Sequence, residues 1–288
     1  MKQSVWTVKK LLDWAETYLK NQGFQKPRID AEYLLADVLQ KKRLELYLKF
    51  DQPLSVEELT KFKAYLKRRT LFEPLQYILG HQAFWSFEFK VGPGVLIPRP
   101  ETEFLVETVL KSIPKDGPVH ILDLCTGSGV IPITVALERK NASFVAIDSS
   151  QKALRYAKEN AKTHGVEDRI QFLEANLFDP LSSKDIFDII VSNPPYVAEK
   201  EWETLDKEIL MFEPKEAFVA GPEGTVFHYT ILKKAKSFLK KGGTLFLEIS
   251  PEQSLTLKTF CKDLKGVIST EVLCDYTHRE RVLRLSHG

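Results

Sequence analysis

The sequence is poor in cysteine and methionine, has no long apolar run, and carries almost no excess charge of either sign. Its three cysteines, Cys125, Cys261 and Cys274, are widely spaced and odd in number across 288 residues. That pattern offers neither a disulfide framework nor a four-cysteine metal site, and it suits a reducing compartment. No stretch is long and apolar enough to span a bilayer. Lys9, Asp13 and Glu16 interrupt the N-terminal segment where a secretory core would lie, so the expectation is a cytosolic protein with no membrane partner. Lysine and arginine number 41 against 39 acids, a net charge of +2. Such a balance gives no electrostatic reason to expect direct nucleic-acid binding.

What is present is the composition of a folded chain, with 43% hydrophobic and 28% charged residues. The length suits one large domain with a smaller companion, or two of ordinary size. Up to about Leu79 the pattern is helical. Val8, Leu11, Leu12, Ala15, Tyr18 and Leu19 share one face at helix spacing. A second helix follows Pro27, with Asp30 as its expected cap before Ala31, Leu34, Leu35, Val38 and Leu39. Ser55 and Glu58 form a capping box that opens a third helix, running to about Thr70. Lys61, Lys63, Lys67, Arg68 and Arg69 cluster on it, either as a solvated face or as a docking surface. The expected organisation is a helical bundle over residues 1–80, a hairpin and linker over 81–100, and a second domain over 101–288.

The period then changes. Ala83, Trp85, Phe87, Phe89 and Val91 alternate with Phe84, Ser86, Glu88 and Lys90, which predicts one strand. Gly92-Pro93-Gly94 is expected to turn the chain so that Val95–Ile97 pairs back as a hairpin. Beyond His120, short apolar strands are predicted at Ile121–Leu124, Phe144–Ile147, Ile170–Leu173, Ile186–Ser192 and Thr244–Ile249. Amphipathic helices lie between them, such as Gln151–His164 and Val226–Leu239. This alternation predicts an α/β fold with a doubly wound, mostly parallel sheet. Ile268–Leu273 and Val282–Leu285 read as an antiparallel hairpin at the sheet edge.

Two motifs carry chemistry. Asp123-Leu124-Cys125-Thr126-Gly127-Ser128-Gly129 falls where the first strand of the sheet hands over to a helix, a place where glycines let backbone approach a ligand. Asp148 ends the next strand about 20 residues on, where an acid can accept from ribose hydroxyls. The third glycine of a dinucleotide fingerprint is missing, because Val130-Ile131-Pro132 follows. The absent third glycine, with Asp123 preceding the loop, favours S-adenosylmethionine over a nicotinamide cofactor.

The second motif, Asn193-Pro194-Pro195-Tyr196, follows the fourth strand at the sheet end where ligands bind. Two prolines stiffen the loop and leave the Asn193 and Pro194 carbonyls as fixed acceptors. The Asn193 side chain adds one acceptor and two donors, and Tyr196 adds a flat ring. A planar amide or aryl nitrogen needs such a grip, since its lone pair is delocalised and positioning must do most of the catalysis.

These residues resemble the HemK/PrmC family, the methyltransferases that modify the glutamine of the Gly-Gly-Gln tripeptide in peptide chain release factors. The resemblance runs through Ile29–Glu32, Glu73–Gly80, Val95–Glu103, the glycine loop, Ser192–Tyr196 and the tail around Asp275 and Arg281. Ile97–Glu103 is the most discriminating stretch. It implies a Rossmann-like methyltransferase sheet behind a helical substrate-recognition domain, S-adenosylmethionine as methyl donor with S-adenosylhomocysteine as product, and release factors as partners. Cys125, Thr126, Gly127, Ser128, Gly129, Asp148, Asn176 and Leu177 would line the cofactor site, with Asn193 touching it. Asn193, Pro194, Pro195 and Tyr196 would hold the glutamine, and Asn193, Pro194 and Tyr196 would act in catalysis. No metal is implied. The family usually carries glycine where this chain has Cys125, which is expected to crowd the methionine end unless the backbone there keeps a negative φ. Leu177 replaces an aromatic residue of some relatives, so adenine contact there is expected to be apolar packing. The alternatives are a methyltransferase for a ribosomal-protein glutamine or a nucleic-acid amino group, and an inactive binding module of the same fold.

Overall fold

The computed structural model describes residues 5–288, which divide into two compact units. The first comprises the residues up to Gly80 joined by Lys207–Phe212. The second comprises His81–Asp206 and Glu213–Gly288. Among the described residues no helix is long and apolar enough to cross a membrane.

The first unit is helical: α1 (Val8–Asn21), α2 (Pro27–Val38), α3 (Arg43–Tyr47), α4 (Val56–Thr70) and α5 (Leu75–Leu79). Leu11, Leu12, Ala15 and Leu19 of α1 pack with Leu34 and Leu35 of α2 and Phe62 and Leu66 of α4. Tyr18, expected on that face, is half-exposed and stacks on Trp14 instead, with ring centroids 5.3 Å apart. The capping box forms as expected. Glu58 N donates to Ser55 Oγ at 3.1 Å, and Ser55 N donates to Glu58 Oε2 at 2.7 Å. Asp30 does not cap α2, which starts at Pro27 after Lys26. It lies inside the first turn, buried, where Arg69 Nε donates to its Oδ2 at 2.8 Å.

That pair also corrects the reading of the basic run as one surface. Arg69 is buried, bonds Glu208 at 2.6 Å as well as Asp30, and lies over the Phe24 ring. Arg68 is forked onto Glu73, and Lys61 pairs with Asp37. Lys63 and Lys67 are left exposed on α4. Glu208 belongs to α9 (Lys207–Phe212), which clusters with this unit although it is far along the chain.

The second unit opens with a hairpin, but not the expected one. β1 (His81–Phe84) pairs antiparallel with β2 (Phe87–Lys90), and the turn falls at Trp85-Ser86. Trp85 has φ +58, its amide donates to Glu103 Oε1 at 2.7 Å, and its indole donates to Glu138 at 2.9 Å. These two acids stabilise a break in what reads as a continuous alternation. Val95–Ile97 forms no strand; the Ile97 amide donates to Glu213 instead.

The rest is α6 (Glu101–Ser112), β3 (Val119–Leu124), α7 (Val130–Glu138), β4 (Ala142–Asp148), α8 (Gln151–Thr163), β5 (Ile170–Glu174), β6 (Phe187–Ser192), α10 (Val226–Ala235), β7 (Leu239–Glu248), α11 (Ser254–Lys262), β8 (Val267–Cys274) and β9 (Glu280–His287). The seven strands order as β5-β4-β3-β6-β7-β9-β8. The first five run parallel, and β9 joins β7 and β8 antiparallel, as the C-terminal hairpin predicted. The helix expected to reach Leu239 stops at Ala235, because a short 3-10 turn at Lys236–Phe238 and the start of β7 take over.

Strand alternation sorts the core into two layers. Ile121, Phe144, Ile189 and Phe246 face Leu105, Val109, Ile133 and Val135 of α6 and α7. Leu122, Val145, Ile190 and Leu245 face Ile231, Leu232 and Leu257 of α10 and α11. A sheet covered on both sides has only its strand ends free for ligands. The order reverses between β3 and β6, so the ends of β3, β4, β6 and β7 converge on one crevice.

Candidate functional site

At that crevice Leu124, Asp148, Ser192 and Glu248 end their strands side by side. The Ser192 hydroxyl donates to the Leu124 carbonyl at 2.7 Å, tying the start of one loop to the start of the next.

The loop from Cys125 to Gly129 turns through left-handed backbone at alternate positions, with φ +59 at Cys125, +58 at Gly127 and +81 at Gly129. The negative φ that would relieve the expected crowding at Cys125 is absent: the side chain sits on left-handed backbone and lines the cavity. Burial, with Asp148 and Asp123 nearby, pushes its thiol up, so it stays protonated. A Cβ on Gly127 would meet nothing within 4 Å, which leaves that backbone open to a ligand. One on Gly129 would strike Ile133 at 2.9 Å and Ala157 at 3.2 Å, so this glycine serves helix packing. Ser128 and Thr126 are buried beneath the loop; the Ser128 carbonyl accepts from Asn160 at 2.9 Å.

Asp148 faces the loop. Its Oδ2 accepts from the Gly127 amide and its Oδ1 from the Ser150 amide, both at 2.8 Å. Burial pushes its carboxyl up from the ordinary range, and those amides hold it back. With the Ser149 amide also acting on it, the carboxylate still has more lone pairs than amide partners, which leaves acceptor capacity for a ligand. Behind the loop Asp123 is fully buried, and neither oxygen has a hydrogen bond of normal geometry. Burial pushes it up to about 8, with the Thr126 hydroxyl offsetting part of the rise.

A cavity of about 690 Å³, counted to its open mouth, joins these parts. Cys125, Gly127, Asp148, Asn176, Leu177, Asn193 and Pro195 all line it, and Ile147, Ala153 and Phe227 add apolar wall. Leu177 is buried on left-handed backbone, φ +47, and presents apolar contact. Thr126, Ser128, Gly129, Pro194 and Tyr196, named from the sequence, are not in that wall.

Tyr196 is the clearest difference. Its hydroxyl donates to Glu248 Oε1 at 3.3 Å, its ring centroid lies 6.5 Å from that of His228, and burial pushes its ionisation up. Gln253 Nε2 donates to both the Tyr196 and Gly224 carbonyls at 2.9 Å, which fixes the turn. A Cβ on Gly224 would lie 2.4 Å from the Tyr196 carbonyl, so no larger residue fits.

Sequence reasoning passed over four residues that hold this corner. Thr102 Oγ1 accepts from Asn193 Nδ2 at 3.0 Å. Glu248 is buried behind Tyr196, and His228 Nε2 pairs with the Glu248 carbonyl at 2.9 Å. Glu213 accepts from the Ile97 amide at 2.9 Å and binds Arg99, pinning the stretch the sequence marks as most discriminating. A glutamate inside the apolar run Leu245–Ile249 was a readable signal, since a buried acid at a strand's C-terminal end sits where ligands bind.

Comparison with known proteins places this geometry among relatives. The PrmC N-terminal domain matches residues 10–80, and the methyltransferase small domain matches residues 100–266. The release factor glutamine methyltransferase of Geobacter sulfurreducens is 38% identical over 95% of this chain and 92% of its own length. The protein of that name from Chlorobaculum tepidum is 37% identical over 98% and 97%. Among solved structures, a methyltransferase from Pyrococcus furiosus superposes with a TM-score of 0.53 at 18% identity, covering 77% of this chain and 98% of that one. The hMettl16 catalytic domain, solved with an RNA hairpin, gives 0.52 at 17% identity, with 80% of each chain covered. At such identities these two structures speak for the sheet and its helices alone.

Proposed function

The chain belongs to the release factor glutamine methyltransferase family, and on that premise we propose that it methylates the side-chain amide nitrogen of the glutamine in the Gly-Gly-Gln tripeptide of release factors. The observation that carries this reading is the convergence of the glycine loop, Asp148 and Asn193 on one cavity at the ends of parallel strands.

The residues suit S-adenosylmethionine. Asp148 offers free lone pairs to ribose hydroxyls, the open backbone at Gly127 admits a close approach, and Leu177, Ile147 and Phe227 offer apolar packing to adenine. The cofactor supplies an electrophilic methyl on a sulfonium and is left as S-adenosylhomocysteine. Asn193 and the Pro194 carbonyl accept the N–H groups of the substrate amide and hold its nitrogen in line. Tyr196 acts from behind, bracing the loop through Glu248 and Gln253 instead of offering an open stacking face. No strong base is required, because the methylated nitrogen sheds its proton readily.

The helical unit serves substrate recognition, with Lys63 and Lys67 the charges of the basic run left to meet an acidic or mixed protein surface. Direct nucleic-acid binding is not part of this reading, and an enzyme that modifies a translation factor works in the cytosol. Incubation with labelled S-adenosylmethionine and, separately, release factor, ribosomal protein and DNA tests it. Mass spectrometry should find the methyl group on the release-factor glutamine alone.

A further inference from the structure

The Asn193 amide has two polar ends, and the end that meets the substrate decides whether the site accepts or donates. Its Nδ2 donates to Thr102 Oγ1 at 3.0 Å. Thr102 lies in the first turn of α6 and is 2% exposed, so its own hydroxyl proton must find an acceptor inside the protein. The Glu248 carboxylate, whose Oε2 is buried without another partner, can take that proton. It is buried at the end of β7, and Oε1 takes the Tyr196 hydroxyl at 3.3 Å. Oε2 has no partner at full bonding geometry, yet the Thr102 hydroxyl acts on the same carboxylate and favours its charged form. An ionised carboxylate only accepts. It turns the Thr102 proton toward itself, leaves the Thr102 oxygen to accept from Asn193 Nδ2, and so directs Asn193 Oδ1 the other way. The two ends of an amide look alike, so the network chooses between them.

Resting on the reading of Asn193 as the substrate grip, we propose that Glu248 is a positioning residue. Through Thr102 it fixes the Asn193 amide with Oδ1 toward the substrate, so that the site selects a group bearing N–H donors. Glutamate in place of glutamine would then meet an acceptor facing an acceptor.

The groups around Glu248 set when this holds. Tyr196 follows β6, Thr102 and Glu101 sit on α6, Arg281 on β9 and His228 on α10. Burial pushes Glu248 up to about 7; Thr102 and Tyr196 hold it down, Glu101 adds to the rise and Arg281 opposes it. Burial pushes His228 down to about 4, so it stays neutral where Glu248 titrates. A protonated Glu248 can donate to Thr102, which frees Thr102 to reverse and Asn193 to flip.

The test uses the full chain, release factor with its Gly-Gly-Gln loop, and the same factor with that glutamine changed to glutamate. Glu248→Gln and Thr102→Val should each lower kcat about a hundredfold, the scale of a misplaced reacting group, while Thr102→Ser stays near wild type. Calorimetry should find S-adenosylmethionine affinity within about twofold of wild type in all three variants, as expected when only transition-state positioning is lost. Wild-type kcat/KM should fall as pH drops through about 7, the value burial gives Glu248, and Glu248→Gln should lack that limb. The affinity ratio of glutamine over glutamate factor should shrink about tenfold in Glu248→Gln, one misdirected hydrogen bond. An unchanged ratio and pH limb in Glu248→Gln overturn the assignment, whether or not kcat falls. So does a Thr102→Ser variant as slow as Thr102→Val. A wild-type chain that leaves release factor unmethylated would instead sink the functional reading on which this rests.

Discussion

The Gly127 amide donates to Asp148 Oδ2 at 2.8 Å, so the acid ending β4 holds the loop that leaves β3. Asp148 therefore shapes the cavity as well as offering a charge to it. Asp148→Ala is expected to weaken S-adenosylmethionine binding at least tenfold, the loss of one charge-assisted hydrogen bond at about 1.5–3 kcal/mol. The rate at saturating cofactor should fall much less. Calorimetry checks this, and unchanged affinity would remove Asp148 from the cofactor site.

Cys125 combines left-handed backbone with a shielded thiol. Iodoacetamide at pH 7.5 should label the exposed Cys274 well before Cys125, as peptide mapping over time will show. Cys125→Gly relieves the positive φ and should not lower stability by more than about 1 kcal/mol, since glycine adopts that conformation freely. Early labelling of Cys125 would contradict the half-buried, protonated thiol.

Arg69 joins Asp30 and Glu208 inside the helical unit. Removing one partner leaves a buried charge alone, so Arg69→Met should cost about 3–5 kcal/mol in thermal or urea unfolding. Adding Asp30→Leu should recover most of that loss, because an apolar pair avoids the desolvation penalty. A double variant no more stable than Arg69→Met would show that the ion pair is not what fixes α2 to α4.

Asp123 gives a pH dependence of definite sign. Burial pushes it up to about 8 in the fold, while the unfolded chain keeps the ordinary value near 3.9. Between those values the folded state binds more protons, so this group's contribution is full below about 4 and is lost as pH rises to about 8. Asp123→Asn removes it. The variant should gain on wild type through that window, by about 1.4 kcal/mol per pH unit at most, and run parallel to it above. Parallel melting curves from pH 5 to 8 would show that Asp123 does not titrate there.

The parts of this protein that were legible in its sequence are those set by local periodicity. Ile121–Leu124, Phe144–Ile147 and Ile170–Leu173 read as buried strands and are so, because a sheet covered on both faces needs unbroken apolar runs. Ser55 and Glu58 are similarly local, three residues apart. What escaped depends on partners far along the chain. Trp85 breaks its strand because Glu103 and Glu138 hold it, and Asp30 is buried because Arg69 reaches it. At the site, the glycine loop and Asn193–Tyr196 carried motifs. Thr102 stood inside the stretch Ile97–Glu103 and Glu248 inside the apolar run Leu245–Ile249, but neither showed its role, since each matters through a neighbour that the fold supplies.

The central claim is that a glutamine side chain of the Gly-Gly-Gln loop is the methyl acceptor. Asparagine is one methylene shorter, and its nitrogen would stop about 1.5 Å short; a misplacement of about 1 Å costs roughly a hundredfold in rate. Glutamate keeps the length but lacks N–H donors, and sets a carboxylate against acceptor oxygens. Single-turnover methylation of intact release factor, beside its Gln→Asn and Gln→Glu variants, measures this directly. The expected result is one methyl group on the wild-type glutamine and essentially none on either variant. Comparable incorporation into either variant would show that the target lies elsewhere, and the release-factor reading would have to be given up.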